Sequence, residues 1–361
     1  MLVHICCSVD SHYFLQKLQD DFPNEKLTGF FYDPNIHPYS EYLLRFEDVK
    51  HSCEILGIEL LEGEYDLDTW LSLVKGLENE PEKGDRCTVC FDRRLDVSVE
   101  KAKELGHDSF TTSLLISPKK SQDKLDRIGN ELETKSGLKW VFKDYRAGQG
   151  MQIQGQEVKE NQLYRQNYCG CLFGLTQQRD GQDKLMDEMI SPIHGGILPE
   201  SIEERLELYR QRNRLKKENK EFKIIKQRFL NYRQLAAKIL LKKEVLPSYF
   251  LCYSTLKNNK TNGRVEYMIE DVHYMNRDEV KLITIETFNT LANTNYANVM
   301  ELYNSPLCFE EEIELRNKIT NNPFDLSSII ILDSISDGKY EINLNAKVYD
   351  DVKEKIIQIQ G

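Results

Sequence analysis

A chain of 361 residues, 40% hydrophobic and 10% aromatic, has enough apolar material for packed cores and too much length for one comfortable domain; two are expected. A formal net charge of -11 excludes a protein whose whole surface attracts nucleic acid, so any RNA contact must use a local basic patch. No apolar run approaches the ~20 residues of a membrane span, and Met1–Cys7 has neither the charged nor the apolar region of a secretory signal, so a soluble, cytoplasmic protein is expected.

In chain order the first part alternates strand-like and helix-like segments, the pattern of a parallel sheet covered by helices. Leu2–Cys6 reads as a strand, Ser11–Phe22 as a helix with Phe14, Leu15 and Leu18 on one face, and Leu27–Tyr32 as a second strand. Tyr39–Leu56 follows as a helix, Ile58–Leu61 as a strand and Leu67–Val74 as a helix. Asp92–Leu105 reads as a helix closed by Gly106, Ser109–Ser113 as a strand, Ser121–Ser136 as a helix and Leu138–Phe142 as the last strand. Pro192, Gly195, Gly196 and Pro199 make 191–199 the best linker, dividing a domain over 1–190 from one over 200–361.

Charge is unevenly spread. Residues 1–200 carry 23 Lys and Arg against 35 Asp and Glu, whereas 201–246 carry 14 against 6, a net +8. That basic stretch has helical spacing and little Gly or Pro. It suits either a solvated amphipathic helix or a contact with RNA phosphates. From Pro247 onward short strands such as SIIILDSI and KYEINLNAKVY alternate with helices, an α+β extension with 11 Lys and Arg against 18 Asp and Glu.

Six of nine cysteines fall in three pairs: Cys6-Cys7, Cys87-Thr88-Val89-Cys90 and Cys169-Gly170-Cys171. In a reducing compartment clustered cysteines point to metal binding or redox chemistry. Cys53, Cys252 and Cys308 stand alone among apolar neighbours and read as buried packing residues. Cys6-Cys7 falls where the first strand ends and its helix begins, the edge at which open α/β sheets collect ligands. The helix dipole there favours thiolate, and Asp10 offers a carboxylate to the same space. Cys87 and Cys90 sit on one local turn and suit a common metal or cluster; zinc, iron–sulfur and dithiol uses all share this spacing. An adjacent Cys-Cys pair fits a single tetrahedral zinc poorly, which favours iron–sulfur. A Cys169–Cys171 disulfide would be strained and readily reduced, so this pair suits a redox-active dithiol, with ligation of a second metal as the alternative.

Other polar residues have two readings each. Asp33, Asn35 and His37 lie in a loop at the functional edge of the sheet. Tyr39, Glu41 and Arg45 fit a helix surface equally well. Arg93 and Arg94 suit a cluster's negative charge, a phosphate, or salt bridges to acidic neighbours. Ser117-Pro118-Lys119-Lys120 resembles a basic turn for phosphate or ribose. Tyr164, Arg165 and Gln166 are expected to shape the Cys169–Cys171 segment, and His4 to be packed in the core.

Six segments carry a resemblance: HICCSVD at 4–10, FYDPNIHPYSEYLLR at 31–45, EYDLDTWL at 64–71, RCTVCFDRRL at 86–95, DSFTTSLLISPKK at 108–120 and YRQNYCGCLFG at 164–174. On these the chain resembles the QueH family, the cobalamin-independent epoxyqueuosine reductases, over residues 1 to about 180. The resemblance implies an oxidoreductase that removes the epoxide oxygen of epoxyqueuosine at the tRNA wobble position, the last step of queuosine biosynthesis. It implies a fold like the adenine-nucleotide α-hydrolase (HUP-like) superfamily and a [4Fe–4S] cluster, with Cys6, Cys7, Cys87 and Cys90 as ligands. Cys169 and Cys171 match the family's redox-active, disulfide-forming pair. Many members read Cys-Cys-x-Pro-Cys at the start; here Asp10 replaces the third cysteine, which makes it a candidate catalytic residue and ligand for a second iron. The partners implied are tRNA, recognised through its single-stranded anticodon loop, and an electron donor that the resemblance does not identify. Two competing functions are a zinc-stabilised RNA-binding α/β protein without catalysis, and ATP-dependent tRNA sulfuration. The latter needs a glycine-rich phosphate loop after the first strand, where this chain has Cys6-Cys7-Ser8-Val9-Asp10.

Overall fold

A four-residue strand, β1 (Leu2–Ile5), is buried along its whole length and organises the N-terminal half. In the computed structural model, which describes residues 1–190, 196–322 and 324–359, it pairs in parallel with β2 (Thr28–Phe31) and β4 (Ser109–Thr112), His4 standing opposite Phe30 and Thr112. β3 (Glu59–Glu62) and β5 (Lys139–Trp140) extend the sheet in the order β3-β2-β1-β4-β5, parallel throughout. Two-sided burial of Leu2, Val3, Phe30, Phe31 and Phe110 explains the continuous apolar strands; each such side chain contributes roughly 1.5–3 kcal/mol by leaving water. The winding reverses between β1 and β4, so the crevice for a ligand opens at the carboxyl ends of those two strands.

Helices α1 (Ser8–Asp21), α2 (Tyr39–Leu56), α4 (Asp85–Glu104) and α5 (Gln122–Ser136) lie against this sheet, α3 (Leu67–Leu73) packs on α4 and α6 (Gly150–Glu160) on α1, and α7 (Leu172–Asp180) and α8 (Ile202–Lys217) follow in the chain. The expected α2 matches its range. α4 starts about two turns before the expected Asp92, because Gly84 provides an extended N-cap and Arg86 anchors the incoming loop. Cys87 and Cys90 therefore lie within a helix, not on a separate turn. α6 and α7 have few apolar residues and no periodic stripe to announce them.

By its internal contacts the chain forms two units. The first comprises Met1–Ile190, Arg205–Ile224 and the C-terminal Ile356–Gly361; the second comprises Ser191–Glu204 and Ile225–Lys355. The basic helix α8 thus groups largely with the first unit. The Pro/Gly linker expected over 191–199 lies in part outside the described residues, at 191–195.

The second unit carries two sheets. One runs β10 (Tyr267–Ile269), β11 (Val272–Met275), β12 (Val280–Thr284), β13 (Ser328–Leu332), β8 (Ser248–Phe250). Its β12 and β13 are parallel, joined through α9 (Ile285–Ala292), α10 (Val299–Asn304) and α11 (Phe309–Thr320); its other pairs are antiparallel. The other sheet runs β7 (Glu244–Leu246), β6 (Phe222–Leu241), β14 (Tyr340–Gln358), β9 (Lys260–Gly263). Helical spacing was the expectation through 246. Instead α8 ends at Lys217, Asn219 turns to a φ of 53°, and β6 occupies the rest. Pairing with β7 and β14 overrides a sequence whose exposed Lys, Gln and Arg suit either conformation. Among the described residues no helix is long and apolar enough to cross a membrane.

Candidate functional site

β1 delivers Cys6 and Cys7 to its carboxyl end, and Cys7 is the N-cap of α1. Their sulfurs are 3.7 Å apart. Asp10, in the first turn of α1, completes a group in which one ligand atom from each of Cys6, Cys7 and Asp10 lies within 4.8 Å of the others. Burial pushes the Asp10 carboxyl up, opposed by hydrogen bonding from Ser117, by the charge of Lys120 and by Gln154, whose amide donates to it at 3.2 Å. The Cys7 thiol is raised well above its ordinary value by its hydrogen bond with Cys6 and by burial.

α4 supplies the second pair. Cys87 and Cys90, three residues apart, share one helical face. The backbone N–H of Lys83 donates to the Cys87 sulfur at 3.3 Å. Cys87 and Cys6 pack on one apolar cluster that includes Phe91 and Leu95. Cys90 is buried against Trp70 and Val74, where Cys171 also packs, and burial raises its thiol to about 12. The charges of Cys169 and Cys171 act on Cys90 as well, and that of Arg94 acts on Cys90, Cys6 and Cys169. Arg94 is itself buried, paired with the buried Asp33 and donating from Nε to His4 Nε2 at 3.3 Å. Burial holds Asp33 up at about 6 and lowers His4 well below the usual imidazole range, the His4 ring also within 2.8 Å of Thr112 Oγ1. Of the alternatives for Arg93 and Arg94, salt bridging is what the structure displays: Arg93 pairs with Asp66 at 3.0 Å.

The third pair is held by its backbone. Arg45 donates to the carbonyls of Tyr168 and Cys169, each at 3.0 Å, and the N–H of His37 donates to the Gly170 carbonyl at 2.8 Å. Glu41 fixes Arg45 at 2.7 Å and accepts from the Tyr164 hydroxyl at 3.0 Å. Glu41 and Arg45 are buried, not surface residues of α2; only Tyr39 of that trio is exposed. Gly170 has a φ of +102°, and a Cβ there would stand 2.9 Å from Ile36 Cγ1 and 3.0 Å from Arg45 Nη1. Lys120, read as a basic turn for phosphate, is instead buried with its Nζ 2.9 Å from the Cys169 sulfur. Burial works to raise that thiol, but the Lys120 ammonium and then Arg94 and Arg45 overcome it and hold it below the ordinary thiol range. Cys171, lacking such a partner, is raised by burial. Cys169 and Cys171 are free thiols here, so the expected disulfide is not formed; each sulfur has its own surroundings, Lys120 for one and the Trp70–Phe173 cluster for the other.

Three pairs from distant segments are thus brought to the carboxyl edge of the sheet. Among the lone cysteines Cys53 and Cys252 are buried as expected, but Cys308 is exposed and caps α11, its N–H donating to Glu311 at 2.9 Å. Sequence reasoning missed Lys120, Glu41 and Arg45 as buried supports of the Cys169 segment. Their signal was position alone: each lies inside a segment that also carries the family resemblance. The donor set, soft cysteine sulfurs with one carboxylate in a partly buried crevice, fits iron.

Comparison with known proteins identifies the family. The sequence model of the family described as "Epoxyqueuosine reductase QueH" matches residues 1–177. A protein of Helicobacter pylori named epoxyqueuosine reductase QueH is 43% identical over 352 residues, 92% of this chain and 94% of that one. A Thermotoga maritima protein of the same name is 36% identical over 183 residues, 50% of this chain and 92% of that one. Among solved structures, a U34-tRNA thiolase of Methanococcus maripaludis with its [4Fe–4S] cluster aligns over 59% of this chain and 73% of its own at 14% identity and a TM-score of 0.30, too weak a likeness to build on. Similarity to the Helicobacter pylori protein along nearly the whole of both chains establishes that this protein belongs to the QueH family of epoxyqueuosine reductases.

Proposed function

We propose that this chain reduces epoxyqueuosine to queuosine at the wobble position of tRNA, the final step of queuosine biosynthesis. The observation that carries the proposal is the gathering of Cys6, Cys7, Cys87, Cys90 and Cys169 around Lys120 and Arg94 in a member of this family. Cys6, Cys7, Cys87 and Cys90 would hold a [4Fe–4S] cluster, and Asp10 would give a second iron its oxygen ligand beside them. A cluster so held supplies electrons one at a time, received from a donor outside this chain. The five-stranded parallel sheet, reversing at β1 and β4 with its site at their carboxyl ends, fits a HUP-like fold.

Conversion of an epoxide to an alkene takes two electrons and two protons and releases water. The chain's own residues set up that exchange. Lys120 lowers the Cys169 thiol against the effect of burial and places an ammonium proton at the crevice. Arg45 and Glu41 fix the Cys169 backbone, so the sulfur faces inward from a rigid support. Arg94 places positive charge beside Cys6, Cys90 and Cys169 and so opposes the rise that burial imposes on the Cys90 and Cys169 thiols. Cys169 and Cys171 would store or relay an electron pair as a dithiol. A flipped wobble nucleoside is the substrate form that reaches such a recess.

The test is mass analysis of nucleosides in tRNA from cells lacking this protein. Epoxyqueuosine, one oxygen heavier than queuosine, is expected to accumulate; unchanged queuosine would defeat the proposal. Protein purified anaerobically is expected to be brown and to bleach with dithionite, whereas a colourless, zinc-loaded protein would favour the RNA-binding alternative.

A further inference from the structure

Asp48, in the middle of α2, joins two parts of the site. Its buried carboxylate accepts from the Ser8 hydroxyl, next to Cys7, and from the backbone N–H of Tyr164 at 2.9 Å, where the segment leading to Cys169 begins. A buried carboxylate requires a cation, and that cation is Arg212 of α8, whose Nη1 is 2.5 Å from Asp48 Oδ1 and 2.7 Å from the Gln162 carbonyl. Arg212 is 0% exposed. It also lies over the Tyr209 ring at 4.8 Å, and Tyr209 meets Tyr164 edge-on at 5.2 Å. Tyr164 in turn bonds Glu41, which holds Arg45 on the Cys169 carbonyl. The same helix therefore supports both the Cys7 and the Cys169 segments, by charge and by ring contact.

Arg212 lies beyond the matched residues 1–177. The Thermotoga maritima relative, with 92% of its chain taken by a 183-residue alignment, has little room for a counterpart of α8. We infer that Arg212 is a positioning residue of the reductase site: acting through Asp48, it fixes Ser8 and Tyr164, and so the spacing between the Cys6-Cys7 and Cys169-Cys171 pairs. α8 is then an integral part of the catalytic unit in this chain. The inference rests on the reductase function proposed above.

The experiment compares anaerobically purified full-length wild type, Arg212→Met, Arg212→Lys and the double variant Asp48→Asn/Arg212→Met. Turnover, KM for epoxyqueuosine-containing tRNA, and iron per chain are measured well below each melting transition. Arg212→Met is expected to lower kcat about a hundredfold, the order expected for reacting groups displaced by about an ångström, with KM little changed. Arg212→Lys keeps the charge but loses the planar fork, and a clear drop in kcat is expected there too. The double variant is expected to recover most of the rate, because the amide introduced by Asp48→Asn still accepts from Ser8 or Tyr164 without needing a cation. Wild-type kcat in Arg212→Lys, or no recovery in the double variant, overturns the inference, and both readings hold even if Arg212→Met fails to fold. A wild type that binds iron yet leaves the epoxide untouched defeats the assigned reaction instead. Positioning is then read from alkylation of Cys169 by iodoacetamide, expected to change severalfold in Arg212→Lys; an unchanged rate overturns it.

Discussion

The ammonium of Lys120 stands 2.9 Å from the sulfur of Cys169. Lys120 is buried, and its charge is what pulls this thiol below the ordinary range while the other member of the pair, Cys171, is pushed up. Two thiols separated by a single glycine and shifted in opposite directions make a nucleophile and its resolving partner distinguishable before any reaction begins.

Lys120→Met should therefore raise the Cys169 thiol. In anaerobically purified enzyme, alkylation of Cys169 by iodoacetamide, followed by peptide mass spectrometry, is expected to rise through a midpoint below that of an ordinary thiol; in Lys120→Met the midpoint moves up, and labelling at neutral pH slows by about tenfold or more. The sign for stability follows. A thiol depressed in the folded state contributes stability that is present above its unfolded value and is lost as pH falls through the depressed folded one. Identical profiles in the two proteins would remove Lys120 from the mechanism.

Cys87→Ser and Cys90→Ser should each strip most iron from the protein, because a serine hydroxyl is a poor substitute for a thiolate on iron. Cys169→Ser should leave iron largely in place and abolish turnover. Iron analysis and single-turnover assays on the same preparations separate the two roles. Full iron in Cys87→Ser would refute the ligand set, and full turnover in Cys169→Ser would refute the redox role.

Strand β1 was legible because a parallel strand buried on both faces reads as a short apolar run, and β2 and β4 because Phe and Thr suit a pleated, buried strand. The cysteine pairs were legible because pairing in sequence has no packing explanation. Lys120, Glu41 and Arg45 were not. A charged residue in a polar stretch reads as solvated, and only the tertiary contact of the local Glu41–Arg45 pair with the Cys169 carbonyl, far away in sequence, draws it inside. Arg212 was hidden by the same effect. Its stretch is the most basic in the chain, so its charges suggested an RNA surface, yet this guanidinium is buried on Asp48. The strand β6 was missed because Lys, Gln and Arg on its exposed positions carry no period, and pairing decided its conformation.

Glu41→Gln should be costly despite being nearly isosteric. Glu41 and Arg45 are both buried, and removing one charge leaves the other unpaired, at a penalty of roughly 3–5 kcal/mol. Arg45 would then be released from the Tyr168 and Cys169 carbonyls. Thermal unfolding should show a clearly lowered Tm, and kcat should fall more than tRNA affinity. A Tm equal to wild type would mean that the pair is not buried as described.

Gly170→Ala tests the tightest point of the site. At a φ of +102° an alanine is strained by about 1–3 kcal/mol, and its methyl would press on Ile36 and on the Arg45 guanidinium. Relief requires the Cys169–Cys171 turn or Arg45 to move, and either motion shifts the Cys169 sulfur away from Lys120. Iron content should survive, since neither Cys6-Cys7 nor the α4 pair depends on this turn, while turnover and the low Cys169 midpoint are lost together. Gly155→Ala is the matching control: Gly155 lies within α6 with nothing within 4 Å of its would-be Cβ, so the methyl should stabilise the helix by up to about 1 kcal/mol and leave activity alone. Equal kcat in the two variants would show that the strained turn has no part in setting the position of Cys169.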